Sequence, residues 1–120
     1  MLGLTPPPRI KLSKLRDIGW TLWDPIGLLL TPEGHSAGTW DEEDNLPFAD
    51  EYDNYLIAAA SALRRGEPSG EVVDYLVHIE THSMGLTPTP TTRERALAVV
   101  EAILADKTIW TWPDEHGKFR

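Results

Sequence analysis

Trp23-Asp24-Pro25-Ile26-Gly27-Leu28 is the stretch on which the fold turns. Pro25 disfavours the α region at Asp24 and donates no helical hydrogen bond, and Gly27 accepts a positive φ, so a helix arriving here must stop and the chain must turn. Its counterpart is Asp50-Glu51-Tyr52-Asp53-Asn54-Tyr55, which reads as a helix start with acids suited to the positive end of the helix dipole. Together the two bracket the one long irregular segment and set how the first two helices meet.

Upstream, Leu12, Leu15, Ile18, Leu22 and Trp23 recur at helical spacing from an N-cap at Ser13, with Gly19 on the same stripe to admit a close neighbour. Thr5-Pro6-Pro7-Pro8 before it is an extended, polyproline-like lead-in. Downstream, Leu28-Leu29-Leu30 is a short apolar strip, followed by a loop from Thr31 to Pro47. At about 17 residues the loop is longer than a compact domain usually carries without a reason. It contains Asp41-Glu42-Glu43-Asp44-Asn45 and, just before that run, Trp40, a large aromatic of the kind that docks onto something.

A second helix is predicted from Ala49 to Arg65, with Phe48, Tyr52, Tyr55, Leu56, Ala59 and Leu63 on one face and Gly66 as its stop. The third runs from Ser69 to Met84-Gly85. The fourth is announced by a capping box, Thr91-x-x-Glu94, and carries Ala96, Leu97, Val99, Val100, Ile103 and Leu104. Ile109-Trp110-Thr111-Trp112 reads as an extended tail that packs back on the domain, with a pairing to Leu28–Leu30 as one option, and Pro113 to Gly117 as a turn. The expected fold is therefore all-α: a small four-helix, bundle-like domain over residues 12–105, preceded by an extended Pro-rich segment (1–11) and followed by a Trp-rich tail (106–120).

The pairing of Trp23-Asp24-Pro25-Ile26-Gly27 with Asp50-Glu51-Tyr52-Asp53-x-Tyr55, followed by Tyr75-Leu76 and Met84-Gly85-Leu86, resembles the YugE-like family of small helical bacterial proteins of unknown function. The resemblance covers roughly Leu12 to Leu104 and implies the helical fold without lending an activity. The long acidic insert before Asp50 and the Trp-rich tail depart from the family pattern.

Composition narrows function by exclusion. The 120 residues include no cysteine, which removes disulfides, thiolate metal sites and cysteine nucleophiles together. The longest apolar run is too short to span a membrane, and Met-Leu-Gly-Leu-Thr-Pro-Pro-Pro lacks the features of a signal peptide, so a soluble, cytoplasmic protein is expected. The net charge is −8, and from Asp17 through Leu63 ten acids (Asp17, Asp24, Glu33, Asp41, Glu42, Glu43, Asp44, Asp50, Glu51, Asp53) occur without one Lys or Arg. That field repels phosphate and disfavours nucleic acid.

Candidate chemistry is sparse. Glu71, Asp74, His78 and His82 form one stripe on helix three, opposite its apolar face, and His78–His82 misplaces the glutamate of a zinc helix. Asp41 to Asn45 starts like a calcium loop but has Leu46 where glycine is needed and Tyr52 where the bidentate glutamate belongs. Glu80 falls in the middle of an apolar face and needs a donor, for which Arg93 is the candidate, with a Trp or Tyr donor as the other. No cofactor is expected. The leading reading is a non-enzymatic binding module of inhibitor, immunity or adaptor type. Trp40 would be its anchor, and Asp41, Glu42, Glu43, Asp44, Asp50 and Asp53 would meet a basic protein partner. A small metal-dependent enzyme using Asp24, Asp50 and Asp53 or the His78–His82 stripe is the second reading, and an oligomer with a solubilising loop the third.

Overall fold

Helix α1, Leu12–Leu22, buries Leu15, Gly19 and Trp20 on one face and ends where the Asp24-Pro25 pair requires. In the computed structural model, which describes residues 8–29 and 38–112, the stop is built from two left-handed residues, Asp24 at φ +29° and Gly27 at φ +77°. Ser13 lies inside α1 rather than capping it; Lys11 stands at the cap position with no side-chain cap bond. The close neighbour admitted by Gly19 is a side chain: a Cβ there would stand 2.5 Å from Cδ1 of the fully buried Leu56.

From Gly38 a turn carries Asp41 and Glu42 into a 3-10 helix, Glu43–Phe48, so the second half of the acidic run is helical and the run as a whole forms a short rail. Three-residue turns follow, with Ala49 N donating to Leu46 O, Glu51 N to Phe48 O and Asp53 N to Asp50 O. Helix α2 therefore begins at Asp53, later than the expected Ala49, and runs to Arg64. The delay has a local cause: the Tyr52 side chain is held by hydrogen bonds to the α1 stop, and its backbone (φ −102°, ψ 1°) lies off the helical region. Gly66, at φ +91°, closes α2 as expected.

Helix α3, Ser69–His78, continues into a π-helical turn, Ile79–Ser83, where one unbroken helix had been expected. Helix α4, Thr92–Ala105, packs on α1, α2 and α3. Its expected capping box is not made, because Thr91 forms no side-chain cap bond and Thr92 is the buried threonine. A 3-10 turn, Lys107–Ile109, buries Ile109 completely and leads to a short antiparallel strand pair between β1, Arg9–Ile10, and β2, Trp110–Thr111. The tail thus pairs with the lead-in segment and, among the described residues, not with Leu28 or Leu29, and the mostly helical fold carries a small sheet. The expectations for Thr5 to Pro7, Leu30, residues 31–37 of the loop and the turn at Pro113 to Gly117 lie outside the described residues.

The core is one cluster in which Trp20, Trp23, Tyr52 and Leu56 from the α1–α2 junction meet Leu76, Ile79, Val99, Val100 and Ile103 from α3 and α4. Burying side chains of this size gives about 1.5–3 kcal/mol each, so these contacts, rather than helix propensity, hold the elements together.

Candidate functional site

The two stretches that bracket the irregular segment bond directly to each other. Tyr52 donates its hydroxyl proton to Asp24 Oδ1 (2.8 Å) and accepts from the Ile26 amide (3.1 Å). Asp24 also accepts from the amides of Leu28 (3.0 Å, Oδ1) and Leu29 (3.1 Å, Oδ2), so its carboxylate is fully taken by neutral donors. Around it, the Tyr52 ring lies 4.6 Å from that of Trp20 and 5.4 Å from that of Trp23, and Tyr55 meets Trp23 edge-on. Burial first, and then the neighbouring Asp24 carboxylate, push the Tyr52 phenol well above its usual ionisation range.

Trp40 does dock, but onto its own chain. Its Nε1 donates to Asp17 Oδ1 (2.9 Å), and the Arg16 guanidinium lies 5.1 Å from its ring centroid. Arg16 in turn grips Asp53 with two hydrogen bonds of 3.0 and 2.7 Å, and Asp53 keeps that guanidinium firmly protonated. Trp40 and Asp53 are therefore half-buried parts of a clamp between α1, the rail and α2. Asp41, Glu42, Glu43, Asp44 and Asp50 remain exposed, as does Glu51, and none of them forms an ion pair among the described residues. Asn45 is the rail's buried pin, its Nδ2 donating to Thr39 O (2.7 Å). Leu46, 52% exposed, stands among the acids.

Asp24, Asp50 and Asp53 are not brought to one point. Asp24 serves the turn and Asp53 serves Arg16, while Asp50 faces solvent. His78 and His82 stack with their rings 4.4 Å apart, and among the described residues no group of three or more His, Cys, Asp or Glu is placed to hold a metal ion.

Glu80 is buried, as its position on the apolar face predicted, but its partner is Arg95 and not Arg93. Arg95 donates to both carboxylate oxygens (2.7 and 2.9 Å), and Thr92 Oγ1 donates to Oε2 (3.0 Å). Arg93 lies on the surface against Asp74 at 2.7 Å. Arg95 also reaches the Trp23 carbonyl (3.3 Å), linking the α1 stop to the π-helical turn through one guanidinium.

Between these features lies a cleft of about 540 Å³, walled by Trp20, Trp23 and Trp40 with Asp17, Asp24 and Arg95. That volume falls in the range of small-molecule sites. The sequence reading did not single out Asp17, Arg16 or Arg95 as site residues. The signal for Arg95 was present, since it shares a four-residue stripe with the buried Val99 and Ile103. Comparison with protein-family models, with curated proteins and with solved structures gives no match.

Proposed function

We propose that this protein is a non-enzymatic binding module whose acidic rail receives a basic protein partner, in the manner of an inhibitor, immunity or adaptor protein. The observation that carries this reading is the rail: Asp41, Glu42, Glu43 and Asp44, with Asp50 and Glu51 beyond, exposed and without ion pairs among the described residues, around the exposed Leu46. Like charges lined up on an ordered segment repel one another, and a basic partner relieves that repulsion while its encounter is accelerated by the field. Trp40, Asp53 and Asn45 hold the rail in place, and Leu46 takes the part of apolar contact at its centre. The proposal carries with it a four-helix, bundle-like domain at work in the cytoplasm and, from the sequence resemblance, a place beside the YugE-like proteins.

Affinity capture from the native host's extract tests this. Wild type should retain a basic protein that added salt releases, and Asp41→Asn/Glu42→Gln/Glu43→Gln/Asp44→Asn should retain none while folding normally. Equal retention by the two would sink the proposal. Self-association is a second reading with one observation behind it: Leu97 and Leu104 are 44% and 53% exposed on α4. A monomer by sedimentation at high concentration removes that reading.

A further inference from the structure

We infer that the tryptophan-walled cleft binds an organic cation, an alkylammonium or guanidinium group on an apolar stem. The argument starts from charge. Among the described residues three charged side chains line the cleft, Asp17, Asp24 and Arg95. Arg95 is neutralised by Glu80 through two hydrogen bonds of 2.7 and 2.9 Å, so it offers no free positive charge to an anion. Asp24 is held by a phenol and two amides, which stabilise its charge without cancelling it, and among the described residues Asp17 accepts from the Trp40 N–H. The described walls thus keep two negative charges beside the half-buried Trp40, with Trp20 and Trp23 packed behind at 5% and 2% exposed.

An inorganic ion is poorly served there. The indoles supply no ligand atoms, and Asp17 and Asp24 belong to no metal-competent cluster among the described residues. A cation with a hydrocarbon stem is well served, because indole faces attract positive charge electrostatically and also bury the stem. Among the described residues the chain makes this pairing for itself with Arg16 over Trp40 at 5.1 Å and Arg64 over Trp110 at 5.3 Å, and Arg16 adds a carboxylate, Asp53.

The cleft shares Trp40 with the clamp that holds the acidic rail, but its test uses small cations and no protein partner. Calorimetric titration of the full chain with N-acetyl-arginine amide, N-acetyl-lysine amide and the neutral isostere N-acetyl-citrulline amide decides it. The arginine or the lysine compound should bind saturably and quench tryptophan fluorescence, and the citrulline compound should do neither. Asp17→Asn should weaken the cation by roughly fivefold, the scale of one partly exposed charge pair, while still accepting the Trp40 hydrogen bond. Glu43→Gln/Asp44→Asn, which leaves Asp41 and Glu42 on the wall residue Thr39, should still bind the cation saturably. Butylguanidinium and an arginine-containing tripeptide then distinguish a free small cation from a side chain on a chain. Binding of citrulline equal to that of arginine, no saturable binding of either cation, or an unaltered Asp17→Asn would each overturn the inference.

Discussion

Two carboxylates organise this molecule, the half-buried Asp24 and the buried Glu80, and they are satisfied in opposite ways. Asp24, at the α1 stop, is surrounded by neutral donors: one phenol and two backbone amides of its own turn. Glu80, in the π-helical turn after α3, is held by a cation, Arg95, with Thr92 beside it. The first arrangement is mostly local, since two of its three donors lie within five residues of Asp24. The second joins residues 12 and 15 apart and depends on one long side chain. A carboxylate with several weak donors loses one and keeps the rest. One that relies on a single guanidinium is left as an uncompensated buried charge when that partner goes. Because Arg95 also donates to the Trp23 carbonyl, failure at the second site should be felt at the first.

The largest expected effect follows directly. Arg95→Met should destabilise the fold by about 3–5 kcal/mol, toward the lower end because the guanidinium is partly exposed, as read by urea unfolding. Adding Glu80→Gln to that variant removes the charge but keeps an acceptor for Thr92, and should recover a large part of the loss. If the double variant is no more stable than Arg95→Met alone, the cost came from lost packing and the contrast between the two carboxylates fails. Arg93→Met, which disturbs only the exposed pair with Asp74, should change stability by no more than about 0.5 kcal/mol.

At the other junction, Tyr52→Phe should cost about 1–2 kcal/mol, because Asp24 retains two amides while the Ile26 amide loses its acceptor. The same residue predicts alkaline behaviour. Its folded-state ionisation lies above the usual 10.0, chiefly through burial, so the unfolded chain gives up this proton first. The stability it contributes is complete below about pH 10 and declines as pH rises toward the folded value. Tyr52→Phe should therefore show a shallower alkaline loss than wild type; parallel profiles from pH 9 to 11 would mean the phenol is not shielded.

These junctions also mark what could be read from the sequence. Asp24-Pro25 and Gly27 announce a stop from local chemistry alone, and the stop is there. The bond between Asp24 and Tyr52 needed the crossing of α1 and α2, which no local pattern encodes. Glu80 was legible as a buried acid because its neighbours on the helix are apolar. Its partner is Arg95 and not Arg93 because the inward stripe of α4 runs through Arg95, Val99 and Ile103, which leaves Arg93 on the side of the exposed Leu97 and Leu104. The capping box fails although Thr91 does stand at the N-cap: its hydroxyl meets Arg95 Nε and the Thr89 hydroxyl and caps no backbone amide. At the candidate site, the acids of the rail were plain in the sequence. The docking of Trp40 on Asp17 and Arg16 was not, since it joins residues 23 and 24 positions apart across an irregular segment.

A third carboxylate extends the comparison to the surface and carries the smallest effect. Asp106, after α4, accepts from both the amide and the hydroxyl of Thr108, and the side-chain bond is the main reason its ionisation lies below the usual 3.8, with Lys14 and Lys11 adding a weaker pull. A depressed folded value means that the contribution is present above about pH 4, where both states are ionised, and is lost as pH falls through the folded value. Thr108→Ala removes the hydroxyl but leaves the amide bond. At pH 7 the melting midpoint should fall by about 2 °C or less, the scale of a surface contact. Toward pH 3 the variant and wild type should converge, because the protonated carboxyl no longer favours that hydroxyl. A gap that instead widened in acid would mean that Thr108 acts through packing on the fully buried Ile109, placing the tail's attachment in the core and not in the carboxylate that precedes it.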